Sequence, residues 1–287
     1  MSEVRVDVEG RTLTLSNLDK VLYPATGTTK GEVLHYYAQV APLILPRLRD
    51  RVVSRVRWPN GVGEKGFFEK NAPAGTPSWV RTVKLPVDGP ESGLTMPVID
   101  DVASLTYFAN LAALELHVHQ WRLEDGHAGP ADYVVIDLDP GAPAALPECC
   151  QVALLVRDVF GARGVECQPV LSGSKGIHLY AQLHEPMPSE QASGIAKTVA
   201  EQLAREHPDL VTATMTKAKR PGKVFLDWSQ NNAAKTTIAP YSLRGKERPT
   251  AAAPVTWDDV EAGAADPLAL SHLRFDELLA RIESQGW

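Results

Sequence analysis

The chain has 287 residues, 44% of them hydrophobic, with 29 basic and 35 acidic side chains for a net charge of −6. That is enough apolar material for one large domain or two closely packed halves, and it removes any global basic signal for nucleic acid, so local clusters must carry such a case. No apolar signal region opens the chain and no run reaches membrane-spanning length. The three cysteines, Cys149, Cys150 and Cys167, suit neither a CxxC zinc site nor a disulfide framework, so reduced thiols in a cytoplasmic protein are expected.

In chain order, "EVRVDVEG" and "RTLTLSN" alternate apolar and polar residues across a Gly10 turn, which predicts a β-hairpin. "TTKGEVLHYYAQVAPLILPRL" predicts a helix capped by Thr28 or Thr29, with Val33, Leu34, Tyr37 and Val40 on one face. "VVSRVRWPNG" reads as a strand ending in a Pro-Asn-Gly turn, and "GFFEKNAPAGTPSW" as a loop holding Phe67 and Phe68. A helix is expected over Asp101 to Glu115, then a strand in "LHVHQW", where His117 and His119 would share a face without an obvious third zinc ligand. Next come a strand in "DYVVIDLD", a helix ended by Gly161 or Gly164, a strand–turn–strand in "CQPVLSGSKGIHLYAQL", a helix stopped before Pro208, a strand in "GKVFLDWSQN" and an amphipathic helical tail. Without regular βαβ alternation, this order favours an α+β or mixed-sheet architecture.

Three acids stand out. Asp137 and Asp139 follow the apolar run Val134-Val135-Ile136 and point to one side of their strand, and Asp227 follows another apolar run. Like charges this close repel unless a cation sits between them. Three carboxylates at strand ends could converge and hold two divalent ions, the recurring arrangement for nucleotidyl transfer. Solvated strand ends, helix caps, sugar-nucleotide glycosyl transfer and aspartyl phosphate chemistry use the same spacing, and the spacing alone does not choose among them.

Three further clusters accompany the acids. "LSGSKGIHLY" interleaves Ser172, Ser174, Lys175 and His178 with Gly173 and Gly176, which suits a phosphate-binding turn or an ordinary hairpin; the Walker A spacing is missing. Basic residues crowd "TKAKRPGK" and "AAKTTIAPYSLRGKERP" on both sides of Asp227, including Arg220, Lys235 and Arg244; they suit a triphosphate, a DNA backbone or a solvated face. Towards the N-terminus, Asn17, Lys20 and Lys30 precede Arg55, Arg57, Trp58, Phe67, Phe68 and Lys70, basic groups and aromatics that can hold phosphates and stack bases or, as is expected of Trp58, pack in the core.

The ordered stretches "DKVLYPATGTTK", "RWPNG", "FFEK", "ALELHVHQWR", "DLDPG", "SGSKGIHLY", "TMTK", "GKVFLDWSQN" and "KTTIAPYSLRG" resemble the archaeo-eukaryotic primase–polymerase superfamily. The resemblance is to the polymerase domain of bacterial end-joining DNA ligases and its stand-alone actinobacterial relatives, over nearly the whole chain. It implies an α+β catalytic core with a mixed or antiparallel central sheet flanked by helices. Residues 1–287 would be one domain, with a DNA- and 5′-phosphate-binding subregion over roughly 1–100 and the core over 101–287.

The resemblance also implies a template-dependent polymerase that adds one or a few nucleotides, preferably ribonucleotides, at 3′ ends facing short gaps or breaks. Asp137, Asp139 and Asp227 would be catalytic and would bind two Mn²⁺ or Mg²⁺ ions. Ser172, Lys175, His178, His117, Arg220, Lys235 and Arg244 would meet the incoming NTP or dNTP, with Phe67 and Phe68 stacking on base and template. Asn17, Lys20 and Lys30 would receive the 5′-phosphate beyond the gap. Implied partners are gapped or broken duplex DNA, a separate ligase and a Ku-type end-binding protein, for a monomer associated with the nucleoid.

Two departures bear on this. Val56 stands where ligase-fused members are expected to have a basic residue, and "VKLPVDGPESGLTMP" replaces a loop that helps those members align broken ends. The sequence also ends at "RIESQGW" without a ligase or nuclease module, so weaker synapsis and a larger share of gap filling are expected. The rival reading is a non-catalytic gap- or end-binding adaptor that keeps the fold; a glycosyltransferase would leave the paired phenylalanines and the N-terminal lysines without a role.

Overall fold

A computed structural model describes residues 3–285. The chain opens with the expected hairpin, β1 (Glu3–Val8) against β2 (Arg11–Ser16), then a shorter pair, β3 (Val21–Tyr23) and β4 (Thr28–Thr29). Thr29 starts α1 (Lys30–Leu48) with a full capping box: its hydroxyl accepts from Glu32 N–H while the Glu32 carboxylate accepts from Thr29 N–H. β5 (Val53–Arg57) follows and pairs with β6 (Phe67–Glu69). The aromatic pair therefore lies on a short edge strand instead of a loop, with its two rings on opposite faces. β7 (Thr82–Lys84) and β8 (Thr95–Pro97) bracket the excursion around residue 90.

α2 (Val102–Asn110) is shorter than its apolar pattern suggests. Ala112, at φ 58°, breaks the helix, and β9 (Ala113–Val118) begins where a last helical turn was expected. β10 (Trp121–Glu124) leads into β11 (His127–Pro140), then α3 (Leu146–Gly161), β12 (Cys167–Leu171), β13 (Ile177–Met187) and α4 (Ser189–Glu206). β14 (Val211–Thr212), β15 (Val224–Asp227), β16 (Thr237–Ile238) and β17 (Ala253–Pro254) precede α5 (Trp257–Ala265) and α6 (Phe275–Gln285).

The large sheet has the order β14-β15-β11-β13-β12-β17, with β10 added on β11; all its pairs are antiparallel except β14 with β15. A smaller sheet runs β16-β9-β5-β6. Val134, Ile136 and Leu138 of β11 join the main core with α3 and α4, while Tyr133 and Val135 pack with Val170, Tyr180 and Ile238 on the other face. This double burial explains an unbroken apolar run where a solvated strand would alternate. Asp137 and Asp139 continue the Tyr133–Val135 face, so the register makes that face turn from apolar to acidic at one point. Among the described residues no helix is long and apolar enough to cross a membrane.

Candidate active site

Asp137 lies directly opposite Asp227 on β15 and directly opposite His178 on β13. Three neighbouring strands thus present Asp227, Asp137 and His178 in one row, with Asp139 two residues along the same face. His178 Nε2 is 3.3 Å from Asp137 Oδ1, and the side chain is buried, with no partner at Nδ1 among the described residues. Burial pushes the Asp139 carboxyl up to about 6; repulsion from Asp137 and Asp227 adds to it, while His178 and Arg220 partly offset it.

This donor set suits a hard divalent cation: oxygen ligands on one face, with one carboxyl reluctant to ionise without added positive charge. As placed, the side chains do not close around one ion; among the described residues no three His, Cys, Asp or Glu side chains do. Asp227 is drawn onto the 3₁₀ turn that follows it. Its Oδ1 accepts from Ser229 N–H at 3.0 Å and from the Ser229 hydroxyl, and its Oδ2 accepts from Gln230 Nε2 at 3.1 Å. The strand predicted through "DWSQN" therefore stops at Asp227, which caps the turn Trp228–Asn231. Directly opposed residues on antiparallel strands have Cβ atoms about 5 Å apart, so a side-chain rotation brings Asp227 to Asp137 without backbone movement.

Basic groups surround the row. Lys235 Nζ is 3.9 Å from Asp227 Oδ2 and donates to Ser229 Oγ. Arg220 Cζ lies over the Phe225 ring, 3.6 Å from its centroid, and Phe225 is paired opposite Asp139. Arg244 donates from Nε to Ser172 O at 2.7 Å and reaches Glu115 at 3.4 Å. Lys175 is exposed at the tip of its turn. The turn differs from the expected cradle, because the N–H groups of Ser174, Lys175 and Gly176 all donate to Ser172 Oγ at 3.1–3.3 Å. Buried Ser172 therefore holds the turn that presents Lys175.

His117 and His119 are not a zinc pair. His117 Nε2 lies 2.9 Å from Glu115 Oε2, whereas His119 bonds Lys235 O and stacks on Trp121 at 4.4 Å. Burial alone would raise the Glu115 carboxyl, but His117, Arg244 and Gly245 N–H outweigh it and hold it at about 2. Beside His117 sits Phe68, ring centroids 6.1 Å apart, and Arg57 covers Phe67 at 5.2 Å. Phe67 and Phe68 are 43% and 51% exposed, unusual for phenylalanine and consistent with stacking surfaces. Val56 lies opposite Phe68 across β5 and β6.

Asn17, Lys20 and Lys30 meet in a separate cavity of about 260 Å³, together with Ser16, Arg57 and Asn60. Lys30 is only 5% exposed; its ammonium donates to Ser16 O at 2.6 Å. Burial, and secondarily the like charge of Lys20, lower its pKa to about 8, and among the described residues no carboxylate pairs with it. A buried cation without a counter-charge is what an anion pocket provides.

Sequence reading missed Gln230, Ser229, Glu115 and Asn60. Gln230 and Ser229 lie within "FLDWSQN", where only the acid drew attention; Glu115 sits two residues before His117 on the same strand face, a spacing that signals contact.

A largely antiparallel sheet carrying aligned acids, a lysine-bearing glycine turn and a flanking basic arc defines the class: a primase–polymerase catalytic core. The family model for the LigD primase-polymerase domain matches residues 29–286, and the chain belongs to that family. It is 52% identical over 272 residues to the multifunctional non-homologous end joining protein LigD of Mycolicibacterium smegmatis, covering 95% of this chain and 35% of the relative. It is 48% identical over 280 residues to the LigD DNA repair protein of Mycobacterium tuberculosis H37Rv, covering 96% and 36%. The chain thus spans about a third of the length of these relatives. The solved polymerase domain of Mycobacterium tuberculosis ligase D in complex with DNA matches with a TM-score of 0.90 and 48% identity, over 96% of this chain and 95% of that one.

Proposed function

We propose that the protein extends 3′ ends at short gaps or breaks in duplex DNA, one or a few nucleotides at a time, with a preference for ribonucleotides. The observation that carries this reading is the row Asp227–Asp137–His178, with Asp139 on the same face and Arg220, Lys235 and Arg244 around it. Asp137, Asp139 and Asp227 would hold two divalent ions, manganese or magnesium, which supply charge neutralisation at the triphosphate and lower the pKa of the attacking hydroxyl. Lys175, Arg220, Lys235 and Arg244 neutralise and align the phosphates, His178 supports Asp137, and Asp227 accepts the 3′-hydroxyl proton. The contribution of these groups is positional and electrostatic. Phe67 and Phe68 stack on base and template, Ser172 and His117 border the sugar, and Asn17, Lys20 and Lys30 hold the downstream 5′-phosphate. A separate ligase would seal the product, and a Ku-type protein would serve at breaks.

The test is extension of a labelled primer on a one-nucleotide gap carrying a 5′-phosphate, with Mn²⁺ and each NTP and dNTP. Extension by the wild type and none by the Asp137→Ala/Asp139→Ala variant is expected. Tight, metal-independent binding without incorporation is what an adaptor gives, and it would overturn the reading.

Lys30 supplies a pH-dependent expectation. Its folded pKa lies below its unfolded one, so the folded protein loses this proton first as pH rises. The cost of the buried charge is fully present below about 8 and is relieved as pH rises from there towards the unfolded value of 10.5. Phosphate binding requires the charged form. Preference for a 5′-phosphate over a 5′-hydroxyl gap should therefore fall as pH rises from about 7 to about 9, and Lys30→Met should flatten that profile and cost roughly 10-fold in preference. Fluorescence anisotropy with the two duplexes across pH checks both.

A further inference from the structure

The 5′-phosphate cavity and the basic arc around the acids are joined by a rigid connection that no catalytic role explains. Tyr23 lies three residues beyond Lys20, on the strand paired with the cap of the helix that carries Lys30. It is fully buried, and its hydroxyl donates 2.8 Å to Arg244 O. Two more buried hydroxyls grip the same segment: Tyr36 donates 2.6 Å to Tyr241 O, and Tyr37 accepts from Leu243 N–H at 3.1 Å while donating to Leu114 O. Tyr241 is held at φ 71°, a conformation that side-chain-bearing residues rarely adopt and that surrounding contacts must maintain.

Trp58 makes a second connection. It is followed by Pro59 and Asn60 of the phosphate cavity, and its indole lies flush against two glycines. A Cβ at Gly245, next to Arg244, would fall 2.2 Å from Trp58, and one at Gly66, next to Phe67, would fall 2.3 Å from it. The segment walling the phosphate cavity is thus tied to the backbone next to the arginine that braces the Ser172 turn, and the indole between them also packs on Gly66, the residue before Phe67.

We infer that Tyr23 and Trp58 are positioning residues that couple an occupied 5′-phosphate pocket to the placement of Arg244, so that the downstream phosphate tightens binding of the incoming nucleotide. The inference rests on the polymerase reading for what the two pockets hold. The coupling runs through backbone contacts: the phosphate draws Lys20 and Lys30 together, and β3, which lies between them in the chain, carries the Tyr23 hydroxyl that donates to Arg244 O.

The test measures GTP affinity with Mn²⁺ on a one-nucleotide-gap duplex whose primer ends in a 3′-deoxy sugar, with a 5′-phosphate or a 5′-hydroxyl downstream. Expected is tighter binding with the phosphate in the wild type, and a ratio reduced about three- to tenfold in Tyr23→Phe, the scale of one buried hydrogen bond. Affinity on the hydroxyl gap should change little. Trp58→Phe should reduce the ratio in the same way, and thermal melting establishes that both variants fold. An unchanged ratio in Tyr23→Phe, equal weakening on both duplexes, or no phosphate effect in the wild type overturns the coupling. Incorporation on the matching 3′-hydroxyl duplex is measured separately: its absence in the wild type would refute the polymerase reading, while the binding ratios still decide the coupling.

Discussion

Replacing Asp137 by Asn should abolish nucleotide incorporation while leaving the protein folded. The carboxylate stands in the middle of the row, with Asp227 on one neighbouring strand and His178 on the other. Its charge therefore contributes to any cation the face holds. Losing one such ligand removes several kcal/mol of transition-state stabilisation; about 4 kcal/mol corresponds to roughly a thousandfold in kcat. Asp227→Asn should do the same. The two substitutions should not add, because either one disables the same unit.

Stability should move the other way. Burial and like charge hold the Asp139 carboxyl at about 6, so at neutral pH it is ionised at a cost to the folded state. With the folded pKa above the unfolded one, this group adds stability below the unfolded value and loses that contribution as pH rises through about 6. In the presence of a chelator, Asp139→Asn should therefore melt no lower than wild type at neutral pH, and the rise in Tm that Mn²⁺ gives the wild type should be absent. Single-turnover extension on a gapped duplex and thermal melts with and without Mn²⁺ check both halves. A fully active Asp137→Asn would remove the acids from the mechanism.

Gly176→Ala should be the most damaging single-methyl change at the site. A Cβ there would lie 1.8 Å from Leu138 O and 3.3 Å from Pro140 Cδ, so β11 and the turn cannot keep their spacing. Gly176 N–H also donates to Ser172 Oγ, so the displacement moves the hydroxyl that holds Lys175 in place. Overpacking of this kind costs about 1–3 kcal/mol or more, and in a chain of this size each kcal/mol lowers Tm by roughly 2–4 °C. KM for the incoming nucleotide should rise about tenfold or more, because the turn is held by the hydroxyl of Ser172, whose carbonyl accepts from Arg244. Gly194→Ala is the matched control: it lies on the solvent-facing side of α4 with nothing within 4 Å of the added Cβ. It should raise stability by about 0.5–1 kcal/mol and leave KM unchanged. Melting curves and steady-state kinetics on both variants separate backbone collision from a general intolerance of alanine.

Much of the site was legible in the sequence because strand alternation is a strict rule. Asp137 and Asp139 had to share a face, and the apolar residues before them had to be buried. The helix cap, which fell on Thr29 of the two threonines expected, and the hairpin across Gly10 are equally local. The aromatic pair was misread as a loop because β6 has only three residues and depends on β5 for its hydrogen bonds. α2 was read too long because Leu-Ala-Ala-Leu-Glu has helix-forming side chains, while the positive φ at Ala112 comes from the packing that delivers β9 to its sheet.

By itself, the sequence determined the residue types of the site, the shared face of the two adjacent acids and the order of the family's motifs. Only the tertiary structure decided that Asp227 and His178 flank Asp137, that Ser172 ties the turn instead of standing free, and that Lys30 is a buried cation. It also decided that Tyr23 reaches an arginine carbonyl 221 residues away. The physical reason is range. Periodicity and capping act within a few residues, whereas cross-strand register and the exclusion of water are settled by which segments pack together, and no single segment carries that information.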